Sequence, residues 1–190
     1  MTTLSSNQRT MLFSACFVAL VATAFAFMLR MMILPEWAAA FGLDETQKGT
    51  ILGAGLWPFG VSIVLFSLII DKIGYGKAMI FAFICHVTFA FMTIFADGFN
   101  MLYWGSVIGA LGAGTVEAVI NPLIATIYRD NKTTWLNILH AGWPGGLVVT
   151  GIVVLGISDS LNWQWKIGLI LIPTAAYGIM MLVSTFPTSE

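Results

Sequence analysis

Six apolar runs separated by short polar links organise the chain, at about 11–34, 50–70, 78–95, 101–127, 136–157 and 167–186. Each approaches the roughly 20 residues that a helix needs to cross a hydrocarbon core of about 30 Å. Inside lipid every backbone N–H and C=O must be satisfied within its own segment, so helices are predicted, and the uninterrupted lengths exclude barrel strands. The links leave no room for an appended soluble domain. Residues 1–190 therefore read as one all-α membrane domain of six transmembrane helices. Ahead of the second run, Asp44-Glu45-Thr46-Gln47 has the form of a capping box, with Asp44 at the cap and Gln47 three residues on.

Composition agrees. Of 190 residues 58% are hydrophobic and 9% charged, against about 25% charged in soluble domains. The bilayer is the expected partner. A net charge of −1 gives no reason to expect nucleic acid. Cys16 and Cys85 lie in apolar runs, where cysteine behaves as a small hydrophobe. The first run passes through Ala22-Thr23-Ala24-Phe25-Ala26, which resembles a signal-peptide cleavage site, but it continues to Leu34 and is predicted to be an uncleaved span. Charge in the short loops orients the bundle. Arg9, Lys72, Lys77, Arg129 and Lys132 fall at one end, predicted cytoplasmic together with both termini. Lys48, Lys166, Glu36, Asp44, Glu45, Asp97 and Asp159 fall at the other. Trp37, Trp163 and Trp165 are expected in an aromatic belt at the outer boundary, and Trp135 at the inner one.

The chain also repeats itself. Ala54-Gly55 precedes Trp57-Pro58-Phe59-Gly60 in the second run, and Ala141-Gly142 leads into Trp143-Pro144-Gly145-Gly146 in the fifth. Those runs correspond in a fold of two inverted three-helix repeats, and matching Gly/Pro interruptions point to a transport pathway. Pro58, Gly60, Pro144 and Gly146 are the predicted helix hinges. Gly105 and Gly109 have the small-xxx-small spacing of packed helices.

Arg30, Glu117 and His140 stand out as the clear ionisable side chains within the runs, and such residues are functional candidates. Glu117 follows a glycine-rich stretch in the fourth run, where a carboxylate loses hydration and can take a proton from one side and release it to the other. Asn121, four residues on, shares its face and can bond a polar substrate, while Pro122 frees a carbonyl one turn back. Asn137 and His140 share a face of the fifth helix. Arg30 lies about one turn before Pro35, suited to the outer mouth, to substrate, or to the headgroups. No metal cluster, P-loop or nucleophile elbow is present, so neither cofactor nor enzymatic activity is expected.

Asp71-Lys72-Ile73-Gly74-Tyr75-Gly76-Lys77 resembles the major facilitator loop signature Gly-x-x-x-Asp-Arg-x-Gly-Arg-Arg. Asp71, the basic Lys72 and Gly74 match, Ser67 stands for the first Gly, and Tyr75-Gly76 replace the paired Arg. The resemblance implies the amino-terminal six-helix half of a secondary transporter, with this loop contacting the other half and holding the outward-facing state. A narrower resemblance is to the fucose:proton symporter branch. It rests on Glu117-x-x-x-Asn121-Pro122 and on Leu136-Asn137 followed by His140. It implies proton coupling at Glu117 and a sugar contact at His140.

Those symporters carry an acidic residue near the position of Met31, where this chain has Arg30-Met31. A helix-one Arg instead resembles the symporters of sugar acids and organic anions. The expected function is thus proton-coupled uptake of a sugar or sugar acid, in a bacterial inner membrane, completed by a carboxy-terminal half after residues 188–190 or by a second copy. The competing reading is a non-transporting scaffold or remnant.

Overall fold

The computed structural model describes residues 4–157 and 161–187. Asp159, and residues 188–190 where a central loop is expected, lie outside them. Among the described residues six helical spans are long and apolar enough to cross a bilayer: Ser6–Phe41, Glu45–Ile73, Tyr75–Ile94, Phe99–Ile127, Arg129–Ile157 and Trp163–Leu182. The first is a single helix, α1 (Ser6–Phe41). The second is α2 (Glu45–Ala54) and α3 (Trp57–Ile73), the third α4 (Tyr75–Ile94), and the fourth α5 (Phe99–Ile127). The fifth is a 3₁₀ turn (Arg129–Asn131) followed by α6 (Lys132–His140) and α7 (Gly142–Ile157). The sixth is α8 (Trp163–Gly168) and α9 (Leu171–Leu182).

Caps rather than hydropathy set the ends. α1 runs past both limits of its apolar run, starting beyond a Ser5–Gln8 capping box and closing at Gly42 with φ 62°. Pro35 sits inside it without ending it. α2 begins at Glu45, five residues before its apolar run, because the Asp44–Gln47 box is formed: the Gln47 N–H donates to Asp44 at 2.8 Å. The sixth span stops at Leu182, short of 186, and Phe186 folds back against Gly76.

α1 and α5 form the centre, with 61% and 72% of their apolar windows buried, whereas the second and fifth spans bury only 28% each. α3 packs against α5 and α7 against α1, and each leaves an open, exposed face. Close approach comes from small residues on α5. A Cβ at Gly112 would lie 2.6 Å from Cys85 Cβ, and one at Gly114 would lie 2.3 Å from the Phe59 carbonyl oxygen. The second contact brings Ser62 onto α5, where its hydroxyl donates to the Leu111 carbonyl at 2.7 Å and lies 2.9 Å from Thr115 Oγ1.

Two of the tryptophans expected in the aromatic belt are interior instead. Trp37 and Trp163 are buried, edge to face at 6.3 Å, and pack with Phe41 at the end of the bundle opposite the basic one. Trp165 is exposed, and Trp135 stacks on Tyr128 at 4.2 Å at the basic end.

Gly74 separates α3 from α4 with φ 82° and ψ 151°. That region is essentially restricted to glycine, and a Cβ there costs about 1–3 kcal/mol. A Cβ at Gly74 meets nothing within 4 Å, so backbone strain alone acts. Gly74→Ala is expected to lose stability of that order, read as a lower thermal unfolding midpoint in detergent, and an unchanged midpoint would contradict the turn.

Candidate functional site

The second and fifth spans each carry a break beside a polar cluster, and the sixth is also broken, between α8 and α9. Pro58 has no N–H to give the Ala54 carbonyl, and Pro144 none for His140. The turns just ahead tighten. Gly55 N–H donates to Leu52 at 3.0 Å and Leu56 N–H to Gly53 at 2.9 Å. Ala141 N–H is shared between Asn137 and Ile138, at 3.2 Å each. The discontinuities therefore fall at Gly55–Leu56 and at Ala141, not at the four predicted hinges. Pro58 is the second residue of α3 and Pro144 the third of α7, while Gly60 and Gly146 lie inside helices. The reason is that proline disturbs the turn before it. Gly146 serves close packing instead: a Cβ there would lie 2.7 Å from Ala24 Cβ.

Arg30 occupies the break of the second span. Its side chain is buried at 3% exposure, which excludes snorkelling to the headgroups. A Cβ on Gly55 would fall 2.1 Å from the guanidinium carbon, so this glycine admits the guanidinium to the end of α2. The negative pole of that helix faces it there. The guanidinium carbon also lies 5.7 Å from the centre of the Phe27 ring. Nε is buried without a hydrogen-bond partner. Among the described residues the guanidinium makes no hydrogen bond or ion pair. It lines a cavity of about 100 Å³ formed with Thr23, Phe27, Phe59, Ala110 and Trp143, from the first, second, fourth and fifth spans.

Glu117, Asn121 and His140 occupy the break of the fifth span. Asn121 Nδ2 donates to Glu117 Oε2 at 3.3 Å and to the Glu117 carbonyl at 3.0 Å. Its Oδ1 lies 2.7 Å from His140 Nε2. With the amide nitrogen donating to Glu117, Oδ1 accepts from an Nε2–H on the imidazole. One chain of hydrogen bonds thus joins a half-buried carboxylate on α5 to an exposed imidazole on α6. Asn137 is exposed one turn before His140, and its side chain makes no hydrogen bond among the described residues.

Arg30 and Glu117 form no ion pair among the described residues. The Arg30 cavity reaches Ala113, one turn along α5 from Glu117. Asp71 and Lys72 lie in the last turn of α3, where a cation suits the helix C-terminus, and Gly74 follows.

His86 went unrecognised among the ionisable candidates. It is fully buried in α4 with Nδ1 3.0 Å from the Tyr177 hydroxyl on α9, and Nε2 has no partner. Its signal was a lone imidazole within an apolar run. Lys166, assigned to an outer loop, is also buried and donates to Glu36 at 2.8 Å. That pair ties α8 to α1.

The family profile described as Major Facilitator Superfamily matches residues 15–190. A human protein that carries a transporter name, SVOPL, is 23% identical over 172 residues, 86% of this chain and 32% of its own length. Among solved structures, the proton:xylose symporter XylE superposes with a TM-score of 0.79 at 14% identity, covering 98% of this chain and 46% of XylE. A peptide transporter POT bound to sulfate gives 0.79 at 15%, covering 90% of this chain and 37% of that one. These likenesses establish the fold. The chain spans about a third to a half of the length of the proteins it matches.

Proposed function

This chain belongs to the Major Facilitator Superfamily, and on that premise we propose that it is the amino-terminal half of a carrier that takes up a sugar or related small polar solute with a proton. The observation that carries this reading is the Glu117–Asn121–His140 chain at the break of the fifth span. Glu117 holds the coupling proton. His140, Asn121 and Asn137 present donors and acceptors where a polar solute binds. Occupancy at His140 biases protonation of Glu117 through the shared amide, and by reciprocity protonation biases binding. The fucose-symporter pattern Glu-x-x-x-Asn-Pro supports the same roles. Asp71, Lys72 and Gly74 form the conformational loop. A second six-helix half, or a second copy, supplies the facing wall of the cavity. The basic end faces the cytoplasm of a bacterial inner membrane.

A second reading rests on Arg30. A buried guanidinium with five donors and no acceptor among the described residues suits a carboxylate, which it binds in a forked pair. The solute is then a sugar acid or another small organic anion, with its acid group at Arg30 in the break of the second span and its polar body toward Asn121.

The test is accumulation of labelled neutral sugars and sugar acids at two external pH values. Cells make this chain alone or with a complementary six-helix half. Acid-stimulated uptake only with the second half is expected, and no uptake in either form overturns the proposal. For sugar acids, Arg30→Met is expected to raise KM about 10- to 100-fold, the loss of a charge-assisted hydrogen-bond pair. Neutral-sugar uptake unaffected by Arg30→Met, with no uptake of acids, selects the first reading.

A further inference from the structure

An apolar groove of about 720 Å³ runs between α4 and α9 at the basic end, on the side of the bundle away from the polar clusters. Ile80 and Ile84 form one wall, and Ala175, Ile179 and Leu182 the other. Its floor is closed because Gly178 admits the Phe83 ring: a Cβ there would lie 2.5 Å from that ring. Phe83 in turn packs edge to face on Tyr177 at 5.8 Å. At the basic end Phe186 lies across Gly76, where a Cβ would be 3.3 Å from the ring. The groove is thus a built concavity whose walls stay exposed: Ile84 is 55% and Ile179 64% accessible.

Its dimensions and its charge point to one occupant. From Gly76 to Ile84 the helix rises about 12 Å at ~1.5 Å per residue, most of a leaflet that is about 15 Å deep, half of ~30 Å. Lys77 stands at the groove's basic mouth, one turn below Ile80 on the same helix face. Side chains lean toward a helix's N-terminus, which for α4 is the basic end, so the Lys77 ammonium reaches headgroup level. Lys77 is exposed and makes no hydrogen bond or ion pair among the described residues. Lys72 lies just across the Gly74 turn, beside Asp71.

We propose that this groove is a binding site for an anionic phospholipid, with one acyl chain between α4 and α9 and the phosphate at Lys77. Through Lys77, such a lipid sits beside the Asp71–Gly74 turn. The site is independent of the transport reading.

The test uses the protein in nanodiscs of mixed phosphatidylglycerol and phosphatidylcholine, released for native mass spectrometry. Preferential retention of phosphatidylglycerol is expected. It should weaken about fivefold in Lys77→Gln, the worth of one lysine near an anionic surface, and fall toward the phosphatidylcholine level as salt is raised. Ala175→Trp, which fills the groove, should lower retention of both lipids. Should that variant misfold, Lys77→Gln and the salt series decide alone. Equal retention of the two lipids, or retention indifferent to Lys77, overturns the proposal. So does a dimer in which Ile84→Cys cross-links between copies, because a second chain then covers the groove.

Discussion

Gly114→Val is expected to leave no stably folded bundle. The Cβ of any residue at 114 would stand 2.3 Å from the Phe59 carbonyl oxygen, 2.9 Å from Ser62 Cβ and 3.1 Å from the Phe59 carbonyl carbon. Two of those three atoms are backbone, so no rotamer change gives relief and α3 must move away from α5. Overpacking costs about 1–3 kcal/mol and sometimes more. Displacement also breaks the bond from Ser62 to Leu111 and its contact with Thr115, and side-chain bonds between membrane helices average about 0.6 kcal/mol each. A loss of about 3 kcal/mol or more follows, visible as aggregated protein on size exclusion in detergent. Gly60→Ala is the control. A Cβ at Gly60 meets nothing within 4 Å, and alanine gains about 1 kcal/mol of helix propensity over glycine, so this variant should be at least as stable as the wild type. A monodisperse Gly114→Val protein of normal stability would contradict the α3–α5 packing.

Glu117→Gln is expected to end uphill accumulation entirely while leaving exchange of solute across the membrane. Glutamine keeps the length and shape of the side chain, and its carbonyl can still accept the Asn121 amide now 3.3 Å from Oε2. What it lacks is a site for a transferable proton. Solute still binds and crosses, but inside and outside concentrations equalise, because no proton moves with it. Counterflow with preloaded solute measures the retained step, and accumulation under an imposed pH gradient measures the lost one. Both assays are run with the second half present. Loss of both activities together would make Glu117 a solute contact, and retention of both would remove it from the coupling.

Local pattern made the six spans legible, because each apolar run declares itself independently of the others. The Asp44–Gln47 box was equally plain, as it needs only four residues. What escaped notice depends on how helices meet. Glu117 and Asn121 share a face by spacing alone, yet the bond from Asn121 to His140 joins residues 19 apart on two helices. No period along one helix encodes that register. Trp37 and Trp163 have the residue type and depth of belt residues, but they face each other inside the bundle. The burial of Arg30 depends on Gly55 of the neighbouring span. His86 was overlooked because its partner, Tyr177, lies 91 residues away. Pro58 and Pro144 each follow a break in the preceding turn, where the helix loses its donor, while the break of the sixth span, ahead of Pro173, has no counterpart among the predicted hinges.

Proton movement itself is the most direct test of the carrier reading. De-energised cells making this chain with its second half are placed in weakly buffered medium, solute is added, and external pH is followed. Each solute entering with a proton should alkalinise the medium, and Glu117→Gln should abolish the change while labelled solute still enters. Solute entry by the wild-type protein with no pH change would contradict proton coupling and remove Glu117 from the centre of the mechanism.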